Sequence, residues 1–347
     1  MFYLKYRPRT IAEIDNSRVR DILKKILDSR EIPHAMLYVG SKGTGKTSSA
    51  RIFAKAINCM ENRFAKKDAS GEPCNKCKNC LSIDVSSNTD VLEMDAASNR
   101  GIEEVKNLIR EVAFMPMSGR YRVFIIDEAH MITTDGFNAL LKTLEEPPKS
   151  AVFILATTNL EKVPATIVSR CVKVNFGRGK NEDLINMLKR IDKSEGLGFS
   201  EDMLRMIASQ CDYSFRDAAK IMEEAFQQKI KNVEELETFL GLRGRNDLMK
   251  LISSKDQKKT YLWIENFAEG GGNFKILIES LLSTLRQELL VKKGVIDKTE
   301  SQTSLKAQEI ARLMKLLVEG YQLMRSTPIE SLPLEIAITE FYNEVSH

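Results

Sequence analysis

The sequence has no run of apolar residues long enough to span a bilayer. Its opening stretch, MFYLKYRPRT, lacks the apolar core of a secretory leader. Both absences lead to the expectation of a cytoplasmic chain with no membrane partner. A surplus of charge is missing too. The 52 Lys and Arg residues against 48 Asp and Glu leave a net charge of +4 at pH 7, which permits nucleic-acid contact without demanding it. Any such contact has to come from local placement of basic side chains. There is no internal repeat and no low-complexity tail. Nor is there a disulfide framework, because nothing in the sequence indicates export. The six cysteines are unevenly placed, with four of them inside residues 59–80, and that crowding favours metal over redox chemistry. What is present is an ordinary globular mixture, 43% hydrophobic and 29% charged, and 347 residues suit two or three domains.

The first half alternates two patterns. Short apolar runs at 35–40, 90–97, 122–129, 151–158 and 172–176 are predicted strands. Between them TSSARIFAKAIN, GIEEVKNLIREV and DGFNALLKTLEE carry helical spacing. Buried strands alternating with helices predict a parallel sheet covered on both faces, with its ligand at the carboxyl ends of the strands. Beyond residue 178 the strand signals stop. Amphipathic helices run to about residue 242 as a small all-α unit, and a second all-α segment begins at 243. Its longest patterns are KILIESLLSTLRQELLV and AQEIARLMKLLVEGYQLM, and EGGGN at 269–273 reads as a turn.

GSKGTGKT, residues 40–47, follows a predicted strand and opens a predicted helix, the context a phosphate-binding loop requires. Gly40, Ser41, Lys42, Gly43, Thr44, Gly45 and Ser48 would wrap the phosphates with backbone N–H groups at a helix N-terminus. Lys46 would reach the β- and γ-phosphates and Thr47 would hold Mg²⁺. VFIIDEAH supplies the complement: Asp127 for the Mg²⁺ shell and Glu128 to orient or deprotonate the attacking water. A carboxylate pair at a strand end also suits a helix cap. His130 is expected to pack or hydrogen-bond rather than to catalyse. ILATTN ends the next strand, where Thr157, with Thr158 and Asn159 as alternates, could sense the γ-phosphate or simply meet solvent. Arg170, just before the fifth strand, could stabilise a transferring phosphoryl group, often one held by a neighbouring subunit. Arg216, in YSFRDAA, could reach back over the nucleotide. For both, a solvated surface arginine is the alternative.

EPCNKCKNC offers Cys74, Cys77 and Cys80, and the phosphate-loop helix ends at Cys59. Together they make the four-thiolate set of a closed, structural zinc site. A polar insertion of this size buries too little apolar surface to fold alone, so the metal would supply its folding energy. Cys171 and Cys211 are left as small buried apolar residues.

These motifs together resemble one family, the tau/gamma ATPase subunits of the bacterial DNA polymerase III clamp loader, in the AAA+ class. The resemblance rests on KYRPRT, GSKGTGKTSSARIFAKAINC, PCNKCKNC, EMDAASNRGIEEVK, FIIDEAHMITTDGFNALLKTLEEPP, ILATTNLEKVPATIVSRC and FRDAA, in order from residue 5 to 219. It implies an AAA+ RecA-like parallel sheet with a zinc-binding insertion, then an all-α lid and an all-α collar. The corresponding ranges are 1–178 (insertion 59–82), 179–242 and 243–347. It implies ATP, Mg²⁺ and Zn²⁺ as cofactors and a Walker A and Walker B site at Lys46, Thr47, Asp127 and Glu128. Arg170 would be the finger on the next subunit's ATP and Arg216 the second sensor, with Arg7 and Pro8 near the adenine. The implied partners are other loader subunits in a five-membered ring, the sliding clamp and primer–template DNA. ATP binding would open the clamp and hydrolysis would release the loader. Arg100 is the DNA contact the resemblance suggests. The chain resembles the short form of the subunit, without the extension that joins helicase and polymerase, and no polymerase site is readable. A hydrolysis-deficient scaffold of the same ring and another AAA+ DNA-remodelling ATPase are the competing functions.

Overall fold

The computed structural model describes residues 1–347 except 63, 65–69, 100, 178–179, 241–242, 271, 296–302, 325 and 346–347. The chain divides into two compact units, Met1–Lys229 and Ile230–His347. In the first unit the helices are α1 Phe2–Lys5, α2 Ser17–Ser29, α3 Lys46–Asn58, α4 Lys78–Asp84, α5 Ile102–Val112, α6 Thr134–Glu145, α7 Ala165–Val168, α8 Asn181–Glu195, α9 Glu201–Ser209 and α10 Phe215–Gln227. Its strands are β1 Ala35–Val39, β2 Val91–Asp95, β3 Arg122–Asp127, β4 Ala151–Thr157 and β5 Val172–Asn175. All five predicted strands form. They pair in parallel in the order β2-β3-β4-β1-β5.

Strand alternation decides which helices cover which face. Met36, Tyr38, Val123, Ile125, Val152, Ile154 and Val174 point to one side, where they pack with Val19 and Leu23 of α2 and Ile52, Phe53 and Ile57 of α3. Leu37, Phe124, Ile126, Phe153 and Leu155 point to the other, against Val105 and Leu108 of α5 and Phe137, Leu140 and Leu144 of α6. The sheet is therefore buried on both faces. This is why its central strands read as unbroken apolar runs rather than alternating ones. After β5 the chain is helical: α8, α9 and α10 pack on one another, and α10 also meets α1.

The second unit holds α11 Val233–Phe239, α12 Arg243–Ser254, α13 Gln257–Glu269, α14 Phe274–Lys292, α15 Ala307–Leu323 and α16 Leu332–Val345. Leu248, Ile264, Leu277, Leu281, Leu313, Leu317, Ile338 and Phe341 form its core. Of the turn expected at 269–273, Glu269 ends α13 and Asn273 caps α14 by accepting the N–H of Ile276 at 3.0 Å, while residue 271 lies outside the described residues. Gly320 lets α15 and α16 approach closely, since a Cβ there would stand 2.9 Å from the Pro333 carbonyl oxygen. No helix among the described residues is long and apolar enough to cross a membrane.

Candidate nucleotide site and cysteine knuckle

The chain crosses from β1 into α3 through the glycine-rich loop. Gly43 and Gly45 take positive φ, 79° and 92°, a conformation that side chains resist. A Cβ on Gly43 would also sit 1.9 Å from the Ser214 hydroxyl, the N-cap of α10. The loop is closed from within. Gly40 N–H donates to the Thr157 carbonyl at 3.2 Å, and the Thr44 hydroxyl donates to the Ser41 carbonyl at 2.9 Å. The Lys46 ammonium donates to the carbonyls of Gly40 and Ser41, both at 2.8 Å. Burial pushes the Lys46 pKa down, while the Glu128 and Asp127 carboxylates pull it back up.

β3 ends beside this loop. Thr47 donates its hydroxyl to Asp127 Oδ2 at 2.5 Å, and Asp127 Oδ1 accepts the Glu128 N–H at 2.9 Å. These paired oxygens suit a hard divalent cation such as Mg²⁺. Glu128 itself has φ of 47°, an uncommon conformation for a residue with a side chain. Its carboxylate accepts the Thr158 hydroxyl at 3.0 Å and lies 3.5 Å from His130 Nδ1. His130 also meets the Thr157 hydroxyl at 3.1 Å, the hydrogen-bonding role expected of it. Thr157 is fully buried, and its hydroxyl donates to the Asn159 carbonyl at 3.0 Å. At the end of β4, then, Thr158 rather than Thr157 holds Glu128.

Lys42 to Ser49, Asp127 and Glu128 form one end of a single cavity. Its remaining wall includes Tyr3, Tyr6, Arg7, Pro8, Ile14 and Asn16 from the N-terminal segment. Met187 and Ile191 of α8 and Arg216 and Ala219 of α10 complete it. The Arg216 guanidinium lies 5.0 Å from the Tyr3 ring centroid. Arg7 is lowered in pKa by burial and by nearby Arg51. The fold thus brings Arg7, Pro8 and Arg216 from well-separated parts of the chain to the cavity that the glycine-rich loop lines. It does not bring Arg170. That residue follows α7, where its guanidinium pairs with Glu145 and donates to the Thr166 carbonyl at 2.7 Å, outside the cavity wall. Arg100 lies outside the described residues. The segment Phe2–Asn16 was legible only as KYRPRT; its aromatic and apolar wall residues carry no local signal.

The four cysteines converge. The sulfurs of Cys59, Cys74, Cys77 and Cys80 all lie within 4.8 Å of one another, with Cys74 and Cys80 at 4.0 Å. A tetrahedral zinc with bonds of about 2.3 Å would hold its sulfurs about 3.8 Å apart, so the set fits a structural ion. Backbone donors already point at the sulfurs. The N–H groups of Glu61 and Cys74 reach Cys59 Sγ at 3.4 and 3.3 Å, and those of Lys76 and Cys77 reach Cys74 Sγ at 3.4 and 3.2 Å. Burial opposes ionisation of Cys74, but its N–H donors outweigh that and bring the thiol to about 7. Of the two remaining cysteines, Cys211 is buried as expected. Cys171 is only partly so, because it packs at the edge of the α5–α6 face just before the edge strand β5.

A parallel sheet in this order, with the glycine-rich loop after β1 and the carboxylate pair after β3, is the fold of the AAA+ class. The Thermotoga maritima RuvB Holliday junction branch migration motor shares it, with a TM-score of 0.50 at 16% identity over 89% of this chain and 98% of that one. A family model described as DNA polymerase III, delta subunit, matches residues 15–179. The chain is 36% identical to DNA polymerase III subunit gamma of Buchnera aphidicola subsp. Schizaphis graminum, covering 80% of this chain and 77% of that protein. It is 35% identical to DNA polymerase III subunit tau of Bacillus subtilis, covering 97% of this chain. The chain belongs to the tau/gamma subunit family of DNA polymerase III. It spans 62% of the length of the Bacillus subtilis relative.

Proposed function

We propose that the chain is an ATP-hydrolysing motor subunit of the DNA polymerase III clamp loader, which loads the sliding clamp onto primer–template DNA in the cytoplasm. The observation that carries this reading is the meeting of Lys46, Thr47, Asp127 and Glu128 at one end of a cavity that Arg216 also lines. In this reading ATP lies along the loop 40–48. Lys46 exchanges the carbonyls of Gly40 and Ser41 for the β- and γ-phosphate oxygens. Thr47 and Asp127 would hold Mg²⁺, which when bound neutralises phosphate charge. Glu128 orients the attacking water and accepts its proton. The end of β4, Thr157 with Thr158, senses the γ-phosphate, and the Thr158–Glu128 hydrogen bond supports that link. Arg7 and Pro8 flank the adenine, and Arg216 closes over the phosphates.

Arg170 acts on the ATP of the next subunit in a five-membered ring. Its place outside its own cavity supports action between subunits, and Glu145 holds the guanidinium meanwhile. Residues 1–178 form the ATPase domain, 179–242 its lid and 243–347 the collar that joins the ring. Zn²⁺ bound by Cys59, Cys74, Cys77 and Cys80 is structural. The test is steady-state ATP hydrolysis by the chain assembled with loader partners and clamp, with and without primed DNA. Clamp and DNA together are expected to stimulate it. Arg170→Ala should lower kcat about a thousandfold with ATP binding kept, the size of effect an arginine finger supplies. Glu128→Gln should bind ATP and turn over at background. Hydrolysis indifferent to clamp, DNA and Arg170 would remove the motor reading and leave only the fold.

A further inference from the structure

A side chain of the cysteine knuckle hydrogen-bonds the N-terminal segment that walls the cavity. Glu72, two residues before Cys74, accepts the backbone N–H of Ile11 at 2.7 Å and of Ala12 at 3.0 Å. Two convergent N–H donors on one carboxylate make a charge-assisted pair that a neutral side chain does not match. The carboxylate stands on a fixed base. Gly71 and Pro73 on either side are buried. The buried Asn62 amide donates both to the Ala56 carbonyl on α3 at 2.5 Å and to the Gly71 carbonyl at 3.3 Å. On the other side of this link, Ile11 and Ile14 enter the sheet core, and Arg7, Pro8, Ile14 and Asn16 reach the cavity.

We infer that Glu72 is a positioning residue for nucleotide recognition: it carries the order of the cysteine knuckle to the segment 7–16 that forms the base end of the cavity. The knuckle is then more than a local staple. Its folding sets how well the pocket beyond the phosphate loop is formed. The inference rests on the reading of this cavity as an ATP site.

The experiment uses the full chain and three measurements. Isothermal titration with Mg-ATP reads affinity. Displacement of a fluorescent ATP analogue by inorganic tripolyphosphate reads the phosphate end alone. Amide hydrogen exchange reads residues 7–16 against the phosphate loop. In Glu72→Ala, ATP affinity is expected to fall about tenfold, tripolyphosphate to change less than twofold, and Ile11 and Ala12 to exchange faster while the loop 40–47 does not. Glu72→Gln, which keeps an acceptor, should fall between. Stripping zinc from the wild type with a zinc-selective chelator, removed before Mg-ATP is added, should reproduce the ATP loss, and stripping it from Glu72→Ala should add less than threefold, because the two act along one path. Unchanged ATP affinity in a folded Glu72→Ala overturns the inference. So do equal losses for ATP and tripolyphosphate, which would mean general damage. A wild type that binds neither ligand would overturn the ATP reading itself and this inference with it.

Discussion

At the scale of the residue, the cavity contains one carboxyl whose charge is decided by competition. Asp15 is held by Arg190 at 2.8 and 3.0 Å, a pairing that favours the carboxylate. Burial works the other way and wins, raising Asp15 to about 6. The sign follows from proton binding. An unfolded Asp titrates near pH 4, so between about 4 and 6 the folded state binds more protons than the unfolded one. Asp15 therefore favours the fold at low pH and withdraws that contribution as pH rises through about 6. A carbon-13 NMR titration should find its midpoint near 6, and Asp15→Asn should flatten the slope of stability against pH in that window. A midpoint below 4 would mean that the Arg190 pair dominates after all. Nothing in AEIDNSR marks Asp15 as unusual, because its environment is assembled from α8, far along the chain.

At the scale of the element, the phosphate-loop helix and the cysteine knuckle form one body. Lys55, on the buried side of α3, is 1% exposed, and its ammonium donates to Asp84 on α4 at 2.7 Å and to Asn75 at 2.8 Å. A buried cation deprived of its partner is costly, while replacing the cation by an apolar chain of similar length removes the problem altogether. Asp84→Ala is therefore expected to cost about 3 kcal/mol, and Lys55→Met distinctly less, by urea unfolding of the zinc-loaded chain. Equal costs would assign Lys55 a packing role alone. The elements themselves were legible to different degrees. β1, β3 and β4 and helix α3 follow from apolar runs and helical spacing. The short α4 did not, since KNCLSID has too few turns to show a period and is fixed by Cys77, Cys80 and Lys55 instead.

At the scale of the whole molecule, a net charge of +4 gives DNA no strong general attraction. Contact with primer–template DNA in the proposed assembly should then come from local Lys and Arg on phosphates, without base preference. The expected result is that the logarithm of the binding constant falls linearly with the logarithm of salt, by about 0.9 for each phosphate neutralised. Sequences of different base composition should give the same line. A flat line would argue that the chain itself does not touch the backbone.

Motifs that carry their chemistry within a few consecutive residues were determined by the sequence alone. The glycine-rich loop, the strand that ends at Asp127 just before Glu128, and the cysteine spacing each specify a local backbone whatever surrounds them. The alternation of apolar strands and amphipathic helices likewise fixed a parallel sheet covered on both faces, because only that arrangement buries every run. Tertiary structure decided what depends on contacts between distant segments. It placed Arg7 and Arg216 in the wall of the cavity that the glycine-rich loop lines and left Arg170 outside. It buried Thr157 and turned Thr158 toward Glu128, raised Asp15, and set Glu72 under Ile11 and Ala12. In each case the deciding quantity is a distance or a degree of burial set by residues far away in the chain, and local sequence does not encode either one.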